Sequence, residues 1–262
     1  MLLAIDIGNT NITVGVFQGD SLRVTWRVNT DAQRMADEYG LMFRNLLALR
    51  GIDHSAITAG CICSVVPPLT LTMEQVCQEY FGVTPLTVGT GAKTGVQIRY
   101  DNPRDVGADR VADAVAAFRL YGGPVIVVDF GTGTVFDAVS ERGEYLGGAI
   151  APGLRVAAES LYTSTSQLRR VDLVAPRSAI GKNTTAAMQA GLVLGYVGLV
   201  EGMVRRFKEE LGGHAKVVAT GGQADLIAGE TQVFDFVNKD LTLIGLRMIY
   251  DMNRSGVEGD EG

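Results

Sequence analysis

The 262-residue sequence predicts an α/β protein made of two similar halves. Two stretches carry that expectation. Met1 to Phe17 reads as an apolar strand (Leu2 to Ile5), a turn over Asp6-Ile7-Gly8-Asn9-Thr10, and a second strand from Ile12 to Phe17. Val125 to Phe136 repeats the grammar: an apolar strand, then Asp129-Phe130-Gly131-Thr132-Gly133, then another strand. A repeat on this scale is weighed before any local feature, and it points to a duplicated domain with a nucleotide cleft between the halves.

The remaining elements follow in order. Leu22 to Val28 makes a third strand. Met35 to Arg50 is helical, with apolar residues at Leu41, Phe43, Leu46, Leu47 and Leu49, and Gly51 is its stop signal. Ile57 to Ser64 is a strand, Leu69 to Tyr80 a helix entered through Pro67-Pro68, and Thr84 to Val88 closes the half. Strand, strand, strand, helix, strand, helix, strand is the order of an RNase H-like half. The second half repeats it loosely, with strands at Val125 to Phe130, Thr134 to Ser140 and Tyr145 to Ile150. A helix runs through Leu161, a long helix from Thr184 to Leu211, a strand from Lys216 to Ala219, and a last helix from Thr242 to Met252. Arg254 to Gly262 is acidic and Gly-rich, and is expected to fray. The boundary falls between residues 122 and 123, so that 1–122 and 123–262 each hold one phosphate loop.

Inside the long helix, Gly191, Gly195, Gly198 and Gly202 stand four, three and four residues apart and leave one face nearly bare. Each glycine costs the helix about 1 kcal/mol against alanine, and a bare face permits close approach by another helix or backbone. The other faces are apolar almost all round, which implies burial in the core and against a second subunit.

The composition is 47% hydrophobic and 20% charged, enough to build a sizeable core. A net charge of −6 without a basic tract argues against nucleic acid as a partner. No basic n-region precedes the first strand, so no secretory signal is expected. The longest wholly apolar run, Ala190 to Val200, is shorter than the roughly 18 residues of a membrane span, so no membrane is expected either. Cys61, Cys63 and Cys77 form neither a disulfide framework nor a metal quartet. Cys61 and Cys63 face the same side of their strand as core fillers. A cytoplasmic, reducing setting fits.

The chemistry sits in three places. A carboxylate at the end of a buried strand is costly unless paired, protonated or bound to a cation. Gly8, Asn9 and Thr10 after Asp6 supply free amides and hydroxyls, a combination that suits a phosphate and its divalent metal. An ordinary hairpin, in which Asp6 and Asn9 merely satisfy the turn, is the alternative. Tyr100 to Arg110, YDNPRDVGADR, packs three carboxylates, two guanidiniums, a phenol and an amide into eleven residues. Asp105 reads as the N-cap of a helix beginning near Val106, which puts Asp109 and Arg110 on its first turn. His54 and His214 both stand in loop contexts, so Asp109 is the leading general base for a hydroxyl. Arg110 could grip an acidic substrate in a bidentate fork.

These segments resemble the bacterial type III pantothenate kinases. The resemblance rests on DIGNTNIT (Asp6 to Thr13), YDNPRDVGADR, DFGT (Asp129 to Thr132), GGAIAPG (Gly147 to Gly153), IGKNTTAAMQAG (Ile180 to Gly191) and ATGG (Ala219 to Gly222), in that order along nearly the whole chain. It implies the actin-like, acetate and sugar kinase superfamily, with two RNase H-like halves and ATP in the cleft. It also implies ATP-dependent phosphorylation of pantothenate to 4′-phosphopantothenate, the first committed step of coenzyme A biosynthesis. By the same resemblance Asp6, Ile7, Gly8, Asn9, Thr10, Asn11, Ile12 and Thr13 form the first phosphate loop, and Thr132 meets ATP from the second. Asp109 is then the proton acceptor, and Tyr100, Gly107, Ala108, Asp109 and Arg110 line the pantothenate pocket. Thr184 contacts substrate from its own subunit or its neighbour. Asp129 holds a monovalent cation, potassium or ammonium, alongside Mg2+ bound with ATP. The family is homodimeric, and Gly221-Gly222 would border adenine. Arg169 stands where the family usually has proline after Thr165 to Leu168. Other readings are a different kinase or a polyphosphate hydrolase of the superfamily, a transcriptional accessory factor, and an actin-like filament domain.

Overall fold

The computed structural model describes residues 1–89 and 91–254. It comprises two compact units. The first holds Met1–Val96, Asp101–Ala116 and the described chain from Leu241 on, and the second holds Gln97–Tyr100 with Ala117–Asp240.

In the first unit β1 (Leu2–Ile7), β2 (Asn11–Gln18) and β3 (Ser21–Asn29) form an antiparallel meander. Helix α1 (Ala36–Leu49) leads to β4 (Ala59–Ser64), and α2 (Pro67–Phe81) leads to the short β5 (Leu86–Thr87). The order is β3-β2-β1-β4-β5, with β4 and β5 parallel to their inner neighbours. β1 is buried on both faces, which its unbroken apolar run requires. Ile5, Ile7, Ile12, Val14 and Val16 join Tyr39, Phe43 and Leu47 of α1 and Met73 and Val76 of α2 in one core.

The second unit repeats the plan. β7 (Val125–Phe130), β8 (Gly133–Val139) and β9 (Glu144–Pro152) form the meander, and β10 (Lys216–Thr220) and β11 (Phe236–Val237) extend it. The order β9-β8-β7-β10-β11 matches that of the first sheet, and even the register slip recurs, at Val16/Phe17 and at Ala138/Val139. The expected duplication is therefore present. Strand β6 (Gln97–Ile98) adds to the outer edge of β9. Its helices are α3 (Ala108–Tyr121), whose first half belongs to the first unit, α4 (Leu154–Thr163), α5 (Thr184–Gln189), α6 (Gly195–Glu210) and α7 (Ala224–Ala228). A π-turn over Ala190–Leu194 joins α5 to α6, so the long helix expected from Thr184 is continuous but not uniformly α. Ile126, Val128 and Phe130 pack with Val193, Tyr196, Val197 and Val200.

Three segments cross the 122/123 boundary, the first being the end of α3 from Ala117 on, which lies before it yet belongs to the second unit. β6 lies before it yet joins the second sheet, and α8 (Leu241–Arg254) lies after it yet belongs to the first unit. α8 packs on β1, β2 and β4. Its Thr242 hydroxyl donates to Asp113 Oδ1 at 2.7 Å, and Arg247 pairs with Asp20 and Asp251. A side chain at Gly245 would overlap the Ala112 carbonyl, so glycine is what lets α8 lie on the start of α3. Past Arg254, the stretch expected to fray lies outside the described residues.

Space around Gly191, Gly195, Gly198 and Gly202 is open, and a Cβ at each would meet nothing within 4 Å. One correction concerns hydropathy. Thr184–Glu210 forms one helical stretch of 27 residues, long and apolar enough by length and composition to cross a membrane. Counting only unbroken apolar residues missed it, because scattered polar residues still leave an 18-residue window within it a mean hydropathy of 1.4. Of that window 44% is buried inside the protein, as expected of a helix covering a sheet.

Candidate active site

The stretch expected to be the first phosphate loop is the three-residue link between β1 and β2. Gly8 N–H donates to the Asn11 carbonyl at 3.0 Å, and Thr30 fastens the loop from β3. Its hydroxyl donates to the Gly8 carbonyl at 2.6 Å and its amide to the Thr10 carbonyl at 3.0 Å. Asn9, Thr10 and Asn11 remain exposed, while Ile7 and Ile12 are buried beneath them. The core thus holds the ends of the loop and leaves its tip to solvent.

Asp6 is the penultimate residue of β1, which runs on through Ile7, and it is not a turn-capping carboxylate. Its Oδ1 accepts from Cys63 Sγ at 3.2 Å across the β1–β4 pairing, where the two residues stand opposite each other. Burial, then the charge of Asp109, raises its pKa from 3.8 to about 7. Cys63 itself is fully buried, as expected of a core filler, and the sequence reading missed its bond to Asp6. The available signal was register, since parallel β1 and β4 place Cys63 level with Asp6.

Asp109 sits on the first turn of α3, as expected, with Oδ1 accepting the Arg110 amide at 2.8 Å. Burial raises its pKa above the usual carboxylate range, against the pull of Arg110. A Cβ at Gly107 would overlap Asp109 Oδ1, so the missing side chain makes room for this carboxylate. Val106 is buried, and Ala108, Asp109 and Arg110 are half-buried. The N-cap expected at Asp105 is a correction. Asp105 ends a 3-10 turn, Pro103–Asp105, which Asn102 caps by accepting from the Arg104 amide. Asn102 also donates to Asp105 Oδ1 at 2.8 Å, and α3 starts only at Ala108. Proline at 103 favours the first position of the earlier turn, which takes Asp105 into it.

In the second unit Asp129 is the penultimate residue of β7, opposite Val135. Glycines surround its carboxylate: a Cβ at Gly221 would overlap Oδ1, and one at Gly131 would stand 3.2 Å from Oδ2. Gly221 also has φ +88, a left-handed conformation that suits glycine. Thr132 is exposed, and Gly153 lies against its carbonyl, with the Gly153 amide donating to it at 3.0 Å. Thr134 is fully buried and its hydroxyl has no partner. Carboxylate, hydroxyl and carbonyl oxygens are hard donors, the atom types that a cation expected at Asp129 would need. Among the described residues no three His, Cys, Asp or Glu side chains group as a metal cage.

Tyr100 belongs to the second unit. Its ring lies 6.3 Å from that of Tyr145, whose hydroxyl donates to buried Asp137 at 2.7 Å. A Cβ at Gly147 would stand 3.5 Å from the Tyr100 ring. Thr184 is exposed at the first residue of α5, after Asn183, whose side chain accepts from the Ala186 amide at 2.9 Å. Arg169 lies in the open loop after α4, where its neighbour Arg170 pairs with Glu159 at 2.7 Å and covers the Tyr162 ring.

The type III pantothenate kinase family model matches residues 2–206. The chain belongs to that family. A type III pantothenate kinase of Dehalococcoides mccartyi is 53% identical over 253 residues, covering 97% of this chain and 96% of the relative. That of Moorella thermoacetica is also 53% identical, over 97% of this chain and all of the relative. That of an Anaeromyxobacter species is 54% identical over 254 residues. Among solved structures, one assigned to the Baf family of transcriptional activators, from Campylobacter jejuni, aligns with TM-score 0.61 at 21% identity over 97% of this chain and 99% of that one. An inorganic polyphosphate/ATP-glucomannokinase from Arthrobacter sp. strain KM aligns with TM-score 0.51 at 15% identity, over 96% and 98%. At such identities these two speak for the fold alone.

Proposed function

We propose that this chain transfers the γ-phosphoryl group of ATP to the hydroxyl of pantothenate, giving 4′-phosphopantothenate and ADP for coenzyme A biosynthesis. The observation that carries the reading is Asp109, an enclosed carboxylate with a raised pKa, seated where Gly107 leaves room for it on a helix's first turn. Asp109 takes the proton of the attacking hydroxyl as the new oxygen–phosphorus bond forms and the bond to ADP breaks. A base with a raised pKa accepts that proton more readily than an ordinary carboxylate does. Tyr100, Gly107, Ala108 and Arg110 line the pantothenate pocket, with the Arg110 guanidinium on the substrate carboxylate. Asp6 to Thr13 cradle the phosphates with amides and hydroxyls, Thr132 meets ATP from the second loop, and Thr184 touches substrate. In phosphoryl transfer such positioning and charge neutralisation supply most of the rate. When bound, Mg2+ and a monovalent cation, potassium or ammonium held by Asp129, offset the phosphate charge that would otherwise repel both aspartates.

The active form is a homodimer in the cytoplasm, and the open glycine face of α5–α6 supports a second subunit there. The test is ATP-dependent phosphorylation of pantothenate by purified protein with Mg2+, in potassium and in sodium. Product in potassium and little in sodium supports the kinase and the cation at Asp129. Product in both salts keeps the kinase and removes the cation site. No product from folded protein overturns the reading.

A further inference from the structure

Among the described residues Cys63 is a buried side chain bonded to Asp6, the carboxylate that precedes the first phosphate loop, and neither the reaction nor the core explains that bond. β1 and β4 run parallel with Asp6 level with Cys63, so both side chains leave the sheet on one face. The Sγ–Oδ1 distance is 3.2 Å, within the range of a sulfur donor. Cys63 is 0% exposed, so no water competes for the thiol. Burial, with Asp6 and Asp109 close by, pushes its pKa well above that of a free thiol, which keeps it a donor. Its alternatives are poor: a buried thiolate facing two carboxylates is excluded by charge, and an outward rotamer would leave Asp6 Oδ1 without its donor. Cys61, two residues earlier on the same face, is equally buried. It is the natural comparison.

We propose that Cys63 is a positioning residue: its thiol donates to Asp6 Oδ1 and fixes which way that carboxylate faces at the mouth of the first phosphate loop. The proposal rests on the reading of Asp6 to Thr13 as a phosphate loop. It adds that the loop's carboxylate is not free to turn. One oxygen is engaged within the sheet, and the other is left for the nucleotide side. A carboxylate so held meets a charged ligand without first losing rotational freedom, which is the gain that preorganisation gives binding.

The experiment compares Cys63→Ser, Cys63→Val and Cys61→Val with the parent. Each is assayed for pantothenate phosphorylation and, independently, for MgATP affinity by isothermal titration calorimetry. Serine keeps a donor in a slightly smaller side chain, whereas valine keeps the bulk and loses the donor. If the donor matters, Cys63→Val weakens MgATP binding about tenfold, equivalent to about 1.4 kcal/mol, and raises the KM for ATP in step. Cys63→Ser then stays within about threefold of the parent, and Cys61→Val matches the parent. If Cys63 only fills the core, valine is the better tolerated change and serine the worse, which overturns the proposal. Should Cys63→Val fail to fold, Cys63→Ala removes the donor with a smaller side chain and is judged by the same affinity. A parent that binds MgATP but phosphorylates no pantothenate defeats the functional reading and leaves the affinity comparison standing. A parent that binds no MgATP defeats both.

Discussion

At the scale of single residues, the two carboxylates of the first unit have separate duties and so separate signatures. Asp109→Asn keeps the shape and hydrogen-bonding reach of the side chain but cannot accept a proton. It should bind MgATP about as well as the parent while turnover falls at least about 100-fold. Unchanged turnover would remove Asp109 from the chemistry. Gly107→Ala acts on the same carboxylate indirectly. The new methyl collides with Asp109 Oδ1, the movable end of a side chain, so the fold should tolerate it while the base is displaced. We expect kcat to fall on the order of 100-fold with little change in Tm. Asp6 shows itself in stability. Its pKa rises from 3.8 to about 7 on folding, so the folded state holds a proton that the unfolded chain has already lost. That contribution is complete below pH 3.8 and is lost as pH rises through about 7. Thermal melts of ligand-free parent and Asp6→Asn from pH 4 to 8 should therefore differ in slope. The asparagine variant gains on the parent as pH rises, and parallel curves would contradict the assignment.

Elements differ in how far they announce themselves. The two meanders are plain in the sequence because each strand is an apolar run bounded by a turn, and the Asp-x-Gly signature marks both inner hairpins. The helices α1, α2 and α6 follow from periodicity, with ends misplaced by a residue or two where caps decide. Asp105 is instructive: its residue type fits an N-cap, yet Pro103 starts a tighter turn just ahead and absorbs it. β6 and β11 have two residues each, too short for any alternating pattern to register. The bond from Cys63 to Asp6 was not legible, because alternation gives the face of a strand but not its neighbour's residue, which only register supplies. Helix α8 was legible as a helix and illegible in its destination. Its seat depends on Gly245 against the Ala112 carbonyl, a backbone atom that cannot move aside cheaply. Gly245→Ala should therefore destabilise the protein by about 1–3 kcal/mol, read as a lower urea midpoint, despite alanine's better helix propensity.

For the whole molecule, the glycine stripe offers a contrast with Gly245. Nothing lies within 4 Å of a Cβ placed at Gly195 or Gly198, so bulk there costs the single chain little. In a homodimer packed through that face it costs the assembly. Gly195→Leu with Gly198→Leu should keep a folded chain by circular dichroism and shift the sedimentation mass from dimer to monomer. A dimer that persists would move the interface elsewhere.

The placement of α8 also bears on how the protein is made. Residues 241–254 are the last described part of the chain to be synthesised, yet they cover β1, β2 and β4, among the first. Every contact of that helix with Gly15 or Asp20 closes a loop of more than 200 residues, a slow step that local structure cannot hasten. On a ribosome the intervening second unit, whose own sheet draws on Gln97–Tyr100 and Ala117–Asp240, emerges while the first sheet still lacks one of its covers. Domains commonly fold in order of synthesis, and this one inverts the rule. A nascent chain halted at residue 240 would carry a completed second unit and a first unit still exposing the apolar faces of its earliest strands.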